Sequence, residues 1–267
     1  MNRVRVNGIQ LAYESYGAGE PIVLVHGWGG ARSVWDLQVP ELSRRNRVIT
    51  VDLRGFGDSD GPAGEENYSF AHCAKDLVAL LDALGLERAV FVGHSMGTVV
   101  SLHTCLLFPE RVRGLVLVGG AAGWPPMGAV VGPQVGHMVN KLQTMGLEAY
   151  LNTFAHVWFA PGTDAELIRR FTKDSYKMAL HAAIAYLKVT SGFNMRDRLP
   201  QVTTPTLVIV GSADGRNPVE ESEYQNRHIP DAWLKIIKGA GHMVHVEKPR
   251  EFNRAVTAFL RTMEEET

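Results

Sequence analysis

The sequence lacks the features that would direct it to a membrane or a nucleic acid. No apolar run approaches the roughly 20 residues that a membrane-spanning helix needs. The first residues of the chain also lack the apolar core of a signal peptide. The formal net charge is only −1 at pH 7, which gives no electrostatic basis for binding nucleic acid. We therefore expect neither a membrane nor a nucleic acid as a partner.

Cysteine is scarce, with only Cys73 and Cys105 in a chain of 267 residues. Both lie in segments with helical periodicity, where two buried, reduced thiols are more common than a disulfide. The Cys-x-x-Cys and His-Glu-x-x-His patterns of metal sites do not occur in the sequence. We therefore expect a cytoplasmic protein that binds no metal and needs no cofactor.

Strand-like apolar runs alternate with helix-like segments along the chain. The apolar runs lie at residues 21–25, 47–51, 89–92, 112–118 and 205–211. Residues 70–84 instead repeat apolar side chains at helical spacing and end at Gly85. Asn-Gly at residues 7–8 predicts an N-terminal hairpin. The alternation predicts a mainly parallel sheet that is flanked by helices.

Residues 120–196 interrupt this alternation. They begin with a stretch rich in glycine and proline and continue with helix-like patterns, and a strand pattern returns only at Thr206. We therefore predict an α/β core made of residues 1–119 and 197–267, with residues 120–196 inserted between its two parts.

The most informative motif is Gly-His-Ser-Met-Gly at residues 93–97, between an apolar run and a helical one. In this strand-to-helix setting the pattern places the serine on a sharp turn with its hydroxyl exposed. A side chain at Gly93 or Gly97 would collide with the adjoining strand or helix. Ser95 is therefore a candidate nucleophile if a base and an acid follow it in the chain.

Both residue types follow, each just after a predicted strand. Asp214 lies three residues beyond the glycine that ends one strand, and His242 follows Gly241 after the last strand. Open α/β sheets place their active sites at this edge. A serine nucleophile needs a base, so we predict a triad of Ser95, His242 as the base, and Asp214, which orients the imidazole. His245 is a competing base, but no glycine precedes it.

Five motifs make the chain resemble the α/β-hydrolase superfamily over nearly its full length. They are His-Gly-Trp-Gly-Gly at residues 26–30, Asp-Leu-Arg-Gly-Phe-Gly-Asp-Ser at 52–59, the serine motif, the segment at Asp214, and Gly-His with a later Glu-x-Pro at 241–249. The chain looks closest to small serine carboxylesterases and enol-lactone hydrolases. The resemblance implies the α/β-hydrolase fold, with a mostly parallel sheet flanked by helices and an inserted helical cap. A fold of this kind does not fix the substrate.

The resemblance also implies further site residues. The backbone N–H groups of Trp28 and Met96 would form the oxyanion hole. The cap would lie over the nucleophile as an apolar roof. The candidate substrate-binding residues are Trp124, Trp158, Phe159, Phe193 and Met243. We expect His26 to hold the oxyanion loop through hydrogen bonds, and the aspartates of residues 52–60 to pair with Arg54.

We predict a serine hydrolase that cleaves small carboxylic esters or lactones through an acyl-enzyme, acting as a monomer or homodimer. One alternative is hydrolysis of a carbon–carbon bond in a ring-cleavage dienoate. The candidates to bind its carboxylate are Lys188, Asn194, Arg196 and Arg198. Perhydrolase activity is another alternative, since it uses the same triad. A non-catalytic receptor or scaffold is less favoured because the complete triad would then have no use.

Overall fold

The computed structural model describes residues 1–123 and 134–265. Within these ranges the strands are β1 (Asn2–Val6), β2 (Ile9–Tyr16), β3 (Glu20–Val25), β4 (Asn46–Val51), β5 (Ala89–His94), β6 (Val112–Val118), β7 (Thr206–Gly211) and β8 (Ala232–Ile237). They form one sheet in the order β1-β2-β4-β3-β5-β6-β7-β8. The β1–β2 and β2–β4 pairs are antiparallel and the others are parallel. The predicted fold, a mostly parallel sheet flanked by helices, is therefore confirmed.

Helices connect the strands and pack on both faces of the sheet. The α-helices in the described ranges are α1 (Val39–Leu42), α2 (Phe70–Ala83), α3 (Met96–Leu107), α4 (Gln134–Met145), α5 (Leu147–Phe154), α6 (Ala165–Thr172), α7 (Leu180–Thr190), α8 (Val219–His228), α9 (Val244–Glu247) and α10 (Pro249–Glu265). Short 3-10 helices lie at Arg32–Trp35, Glu65–Asn67, Pro109–Arg111, Ala155–Trp158, Lys173–Lys177 and Arg196–Gln201. None of these described helices has the length and apolar character of a membrane span.

The hairpin between β1 and β2 forms at the predicted Asn-Gly pair. Asn7 has φ 43° and Gly8 has φ 83°. Positive φ at both central residues is the requirement of a type I′ turn, whose twist matches that of the flanking strands. The local sequence is therefore sufficient to set this turn.

The core lies on both faces of the sheet. In β3, Ile22 and Leu24 belong to one apolar cluster, whereas Val23 and Val25 belong to the other. Successive strand side chains point to opposite faces, so a strand that is apolar throughout needs cover on both sides. Helices α2 and α3 supply it on one face and α10 on the other.

The parallel strands bring their C-terminal ends to one edge of the sheet. Ser95 follows β5, Asp214 follows β7, and His242 comes five residues after β8. Helices α4 to α7 lie between β6 and β7 in the chain, within the predicted cap. The bounds of that cap, residues 120–196, and of the core, residues 1–119 and 197–267, stay a prediction.

Cys73 and Cys105 are both buried and carry free thiols. Burial raises the pKa of the Cys73 thiol to about 12. This thiol therefore stays protonated at neutral pH and behaves as part of the apolar interior.

Candidate active site

Ser95 occupies a strained turn between β5 and α3. Its backbone has φ 52° and ψ −115°, a conformation that residues other than glycine rarely adopt. The turn is tight: a Cβ on Gly93 would overlap the carbonyl of Gly97, and one on Gly97 would overlap that of Val25. A hydrogen bond of 2.8 Å from the Ser95 N–H to the Val118 carbonyl also ties the turn to β6. These contacts hold the serine at the edge of the sheet.

Asp214 and His242 form a hydrogen-bonded pair beside this turn. His242 Nδ1 donates to Asp214 Oδ2 over 2.9 Å. The other oxygen of Asp214 accepts the backbone N–H groups of Arg216 and Asn217, each over 2.9 Å. Burial alone would raise the pKa of Asp214, but His242 and these N–H groups outweigh it and lower the pKa. The carboxylate is therefore ionised at neutral pH and holds Nδ1–H toward itself.

Ser95 and His242 line the same cavity. Among the described residues, Ser95 Oγ makes no hydrogen bond of normal length. In enzymes without bound substrate, the hydrogen bond between a nucleophile and its base is often long, and it shortens during the reaction. The arrangement therefore leaves Ser95 Oγ open to the cavity, with the imidazole of His242 on the same wall.

Glu247, the glutamate of the C-terminal motif, links the loop of His242 to another segment of the chain. Its Oε2 accepts the Gly241 N–H over 2.8 Å, directly before His242. Its Oε1 accepts the Ala160 N–H and the Thr163 hydroxyl, both over 2.8 Å. One carboxylate therefore fastens the loop that carries His242 to the segment between α5 and α6.

Two backbone N–H groups, those of Trp28 and Met96, belong to residues that line the cavity at Ser95. Met96 is the first residue of α3, and such residues have no acceptor within their own helix. Within the described residues, neither of these two N–H groups has a hydrogen-bond acceptor. Both are therefore available to an oxygen atom placed beside Ser95.

His26 fixes the loop that carries Trp28. Its Nδ1–H donates to the Gly27 carbonyl over 2.8 Å, and its Nε2 accepts the Leu53 N–H over 3.0 Å. Burial lowers the pKa of His26. The ring is therefore neutral, which the acceptor role of Nε2 requires. The predicted role of His26 in holding this loop is confirmed.

Two further histidines lie behind His242. His94 Nε2 donates to the His242 carbonyl over 3.0 Å, and the two rings lie 4.8 Å apart. His245 lies 4.6 Å from His94 and 4.5 Å from Trp35, between ring centroids. Burial lowers the pKa of His94 well below its usual value and that of His245 to about 3. Both rings are therefore uncharged at neutral pH.

The family described as the alpha/beta hydrolase fold matches residues 20–249 of the chain. This match covers most of the sequence and includes Ser95, Asp214 and His242. The chain belongs to this family. It is therefore a hydrolase, in agreement with its sequence-based identification.

Three known proteins illustrate the range of similar hydrolases. A 2-hydroxy-6-oxo-2,4-heptadienoate hydrolase from Pseudomonas putida is 32% identical, with 96% of this chain and 95% of the relative covered. A 3-oxoadipate enol-lactonase from Acinetobacter baylyi is 27% identical, with 95% and 94% covered. The structure of a thermophilic esterase from Thermogutta terrifontis superposes with a TM-score of 0.89 at 28% identity, with 98% and 99% covered. The scaffold is therefore shared by proteins with different named substrates.

Two cavities of the hydrolase meet at Ser95. The first is mostly apolar and extends toward Phe70, Met138 and Phe193, whereas the second extends toward Trp158 and His242. The space that the centre of a water molecule can occupy is about 60 Å³ in the first and about 30 Å³ in the second. The two cavities share Ser95, Trp28 and Arg216 among their lining residues.

Of the five predicted substrate-binding residues, some line the cavities at Ser95 and others do not. Phe193 lines the first cavity, and Trp158 and Met243 line the second. Phe159 is buried in the second apolar cluster, which also contains Trp158 and Met243. Trp124 lies outside the described residues. The role of all five in binding substrate stays a prediction.

Arg216 is a site residue that the sequence reasoning missed. It lines both cavities together with Ser95 and Trp28. The signal available in the sequence was its position two residues after Asp214, in the loop that follows β7. A residue so close to a strand-end carboxylate is expected near the site.

The expected pairing of Arg54 with the aspartates of residues 52–60 is wrong. Arg54 instead makes two bonds to Asp76 of α2, with Nε–Oδ2 at 2.6 Å and Nη2–Oδ1 at 2.7 Å. Asp52 and Asp58 both pair with Arg32, the first residue of the 3-10 helix that follows β3. The third aspartate, Asp60, accepts the backbone N–H of Gln10 over 2.8 Å.

The carboxylate-binding candidates of the carbon–carbon hydrolase alternative are engaged elsewhere. Arg196 pairs with the buried Glu221 at 3.1 Å, and Lys188 pairs with Glu65 at the surface. Asn194 accepts the Arg196 N–H. Neither cavity at Ser95 is lined by any of these described residues, nor by Arg198.

Proposed function

We propose that this hydrolase cleaves small carboxylic esters or lactones through an acyl-enzyme on Ser95. The main support is the geometry at Ser95, which opens into both cavities beside a His242 whose Nδ1 lies 2.9 Å from Asp214. The similarity to an esterase and to an enol-lactonase supports the same class of reaction.

Acylation begins when Ser95 Oγ attacks the carbonyl carbon of the substrate. His242 Nε2 takes the serine proton, and Asp214 stabilises the imidazolium that forms. The carbonyl oxygen becomes an oxyanion and accepts the N–H groups of Trp28 and Met96. Each donor of this kind contributes roughly 100- to 1,000-fold in rate. His242 then returns the proton to the leaving oxygen, which departs as an alcohol.

Deacylation repeats these steps with water as the nucleophile. His242 takes a proton from the water, whose oxygen attacks the acyl carbon in the same oxyanion geometry. The Ser95–acyl bond then breaks, the proton passes to Ser95 Oγ, and the carboxylic acid leaves. For a lactone, the alcohol and the acid remain parts of one product.

We assign substrate contacts to Phe193 in the first cavity, and to Trp158 and Met243 in the second. Phe159, and Trp124 outside the described residues, are further proposed contacts. A cytoplasmic monomer or homodimer is part of the proposal, and the two buried thiols agree with a reducing compartment.

The test is hydrolysis of p-nitrophenyl esters from acetate to decanoate by the wild type and by Ser95→Ala. We expect turnover of the short esters, and a loss of roughly 10⁴- to 10⁶-fold in the variant. Ser101→Ala is the matched control, because Ser101 lies on α3 and its buried hydroxyl has no partner among the described residues. Absence of turnover by folded wild type would overturn the esterase proposal.

Hydrolysis of a carbon–carbon bond is the second candidate, favoured by the 32% identity to the heptadienoate hydrolase. Both reactions would use Ser95, so the serine variant does not separate them. The discriminating measurement compares an ester panel with a ring-cleavage dienoate. A dienoate cleaved with a much higher kcat/KM than any ester would make this second candidate the main activity.

A further inference from the structure

Arg216 places an unpaired guanidinium in the active site. The residue lines both cavities, and only its backbone N–H is engaged, by Asp214 Oδ1 at 2.9 Å. Within the part of the chain that the structure describes, its side chain makes no hydrogen bond and no ion pair. Arg196, which is also half-buried, has a carboxylate partner in Glu221.

No carboxylate in the site can take up this charge. Asp214 is the acidic residue that attracts Arg216. However, one of its oxygens accepts two backbone N–H groups and the other accepts His242. None of the described residues that line either cavity is acidic. Asp214 therefore attracts the charge of Arg216, but no side chain among the described residues forms an ion pair with it.

The other polar groups of the first cavity are already committed. Asn217 Nδ2 donates to the Gly119 carbonyl over 2.6 Å, and the Thr190 hydroxyl donates to the Tyr186 carbonyl over 2.8 Å. In the second cavity, His94 is neutral because burial lowers its pKa. Among the described residues that line these cavities, Arg216 thus supplies the permanent positive charge, together with side-chain donors that no described residue accepts.

An unpaired charge that has lost water is costly to a folded protein. Arg216 is half-buried, and burial lowers the pKa of its guanidinium, so the group has lost part of its hydration. A guanidinium presents a planar fork of donors that matches a carboxylate in two parallel hydrogen bonds. An anionic ligand in either cavity would offset the cost of the unpaired charge.

We propose that Arg216 binds a carboxylate carried by the substrate, so that the enzyme prefers esters or lactones that also bear a carboxylate. This inference rests on the proposed function and names the substrate class of the same site. Arg216 determines specificity in this scheme and takes no part in the proton transfers. The reacting carbonyl lies at Ser95 while the carboxylate lies against the guanidinium.

The experiment uses mono-p-nitrophenyl esters of glutaric, adipic and pimelic acids, each beside the ester of the matching monoamide. Acid and amide have nearly the same shape and differ in charge. We expect at least one acid to exceed its amide by about 10- to 100-fold in kcat/KM, as a charged hydrogen bond predicts. The ratio should approach 1 in Arg216→Met and in Arg216→Gln, and Arg216→Lys should retain part of it.

Arg250→Met is the matched control, because it removes one positive charge from an exposed position at the start of α10. It should keep the wild-type ratio of acid to amide. A wild-type ratio near 1 at all three chain lengths, with Ser95-dependent turnover of both series, would overturn the role of Arg216 and leave the esterase proposal standing.

Titration calorimetry keeps the two proposals separable if no ester is hydrolysed. Adipate and its monoamide are then titrated into the wild type and into Arg216→Met. Binding of adipate that the monoamide lacks and the variant loses would support the carboxylate site without the esterase activity. Equal or absent binding of both compounds would overturn it.

Discussion

At the scale of single residues, His242 is fixed on several sides. Its Nδ1 donates to Asp214 at 2.9 Å, its carbonyl accepts from His94 at 3.0 Å, and the preceding Gly241 is bonded to Glu247. These contacts leave Nε2 as the ring nitrogen available for the proposed proton transfer from Ser95. The tautomer of His242 is thus determined by the charge of Asp214.

Asp214→Asn should therefore abolish most of the activity without unfolding the protein. The asparagine oxygen can still accept the N–H groups of Arg216 and Asn217, but its NH2 group would face Nδ1 of His242. Nδ1 must then accept, and the ring proton moves to Nε2, which can no longer act as a base. We expect kcat for a short ester to fall by about 10⁴-fold.

Steady-state kinetics and urea unfolding of Asp214→Asn test this prediction together. Asp231→Asn, at an exposed position before β8, controls for the loss of one negative charge. If Asp214→Asn retains activity within about tenfold of the wild type, Asp214 is not the residue that orients the base.

At the scale of elements, the strand–turn–helix unit around Ser95 depends on close approach of backbone to backbone. A Cβ on Gly93 would overlap the Gly97 carbonyl and lie 2.6 Å from Ser101 Oγ. We expect Gly93→Ala to lower the free energy of unfolding by about 1–3 kcal/mol, as overpacking does. It should also lower kcat, because the turn must shift to make room.

Gly136→Ala is the matched substitution, since Gly136 lies in α4 and a Cβ there meets nothing within 4 Å. Replacing a helical glycine by alanine stabilises by up to about 1 kcal/mol. Urea midpoints measured for both variants give the comparison. Equal midpoints would show that the contact between Gly93 and Gly97 does not limit the turn.

Elements set by local chemistry could be predicted from the sequence, and contacts between distant loops could not. The hairpin at Asn7 and Gly8 and the sheet of parallel strands follow from turn residues and apolar runs. The partner of Arg54 does not: it lies on α2, 22 residues away, because the direction of a loop side chain depends on tertiary packing. For the same reason, the sequence could not predict that the Arg216 side chain has no ion-pair partner among the described residues.

At the scale of the whole molecule, buried neutral histidines make stability depend on pH. The pKa of His245 is lowered from 6.5 to about 3 by burial and by His242, and neither of its ring nitrogens has a partner among the described residues. Below pH 6.5 the unfolded chain binds a proton at this residue and the folded protein does not. The stability that the folded protein has with a neutral His245 is therefore fully present above pH 6.5, and it decreases as the pH falls from 6.5 toward 3.

His245→Leu should remove this part of the pH dependence. Between pH 7.5 and pH 5, we expect His245 alone to lower the free energy of unfolding of the wild type by about 2 kcal/mol. Leucine fills a similar volume and breaks no hydrogen bond, so the variant should match the wild type at pH 7.5 and exceed it at pH 5. Urea unfolding at both pH values measures the difference.

His137→Leu, at an exposed position of α4, is the control for loss of a histidine. If wild type and His245→Leu lose stability equally between the two pH values, the buried ring of His245 does not resist protonation, because a buried neutral histidine must produce the difference.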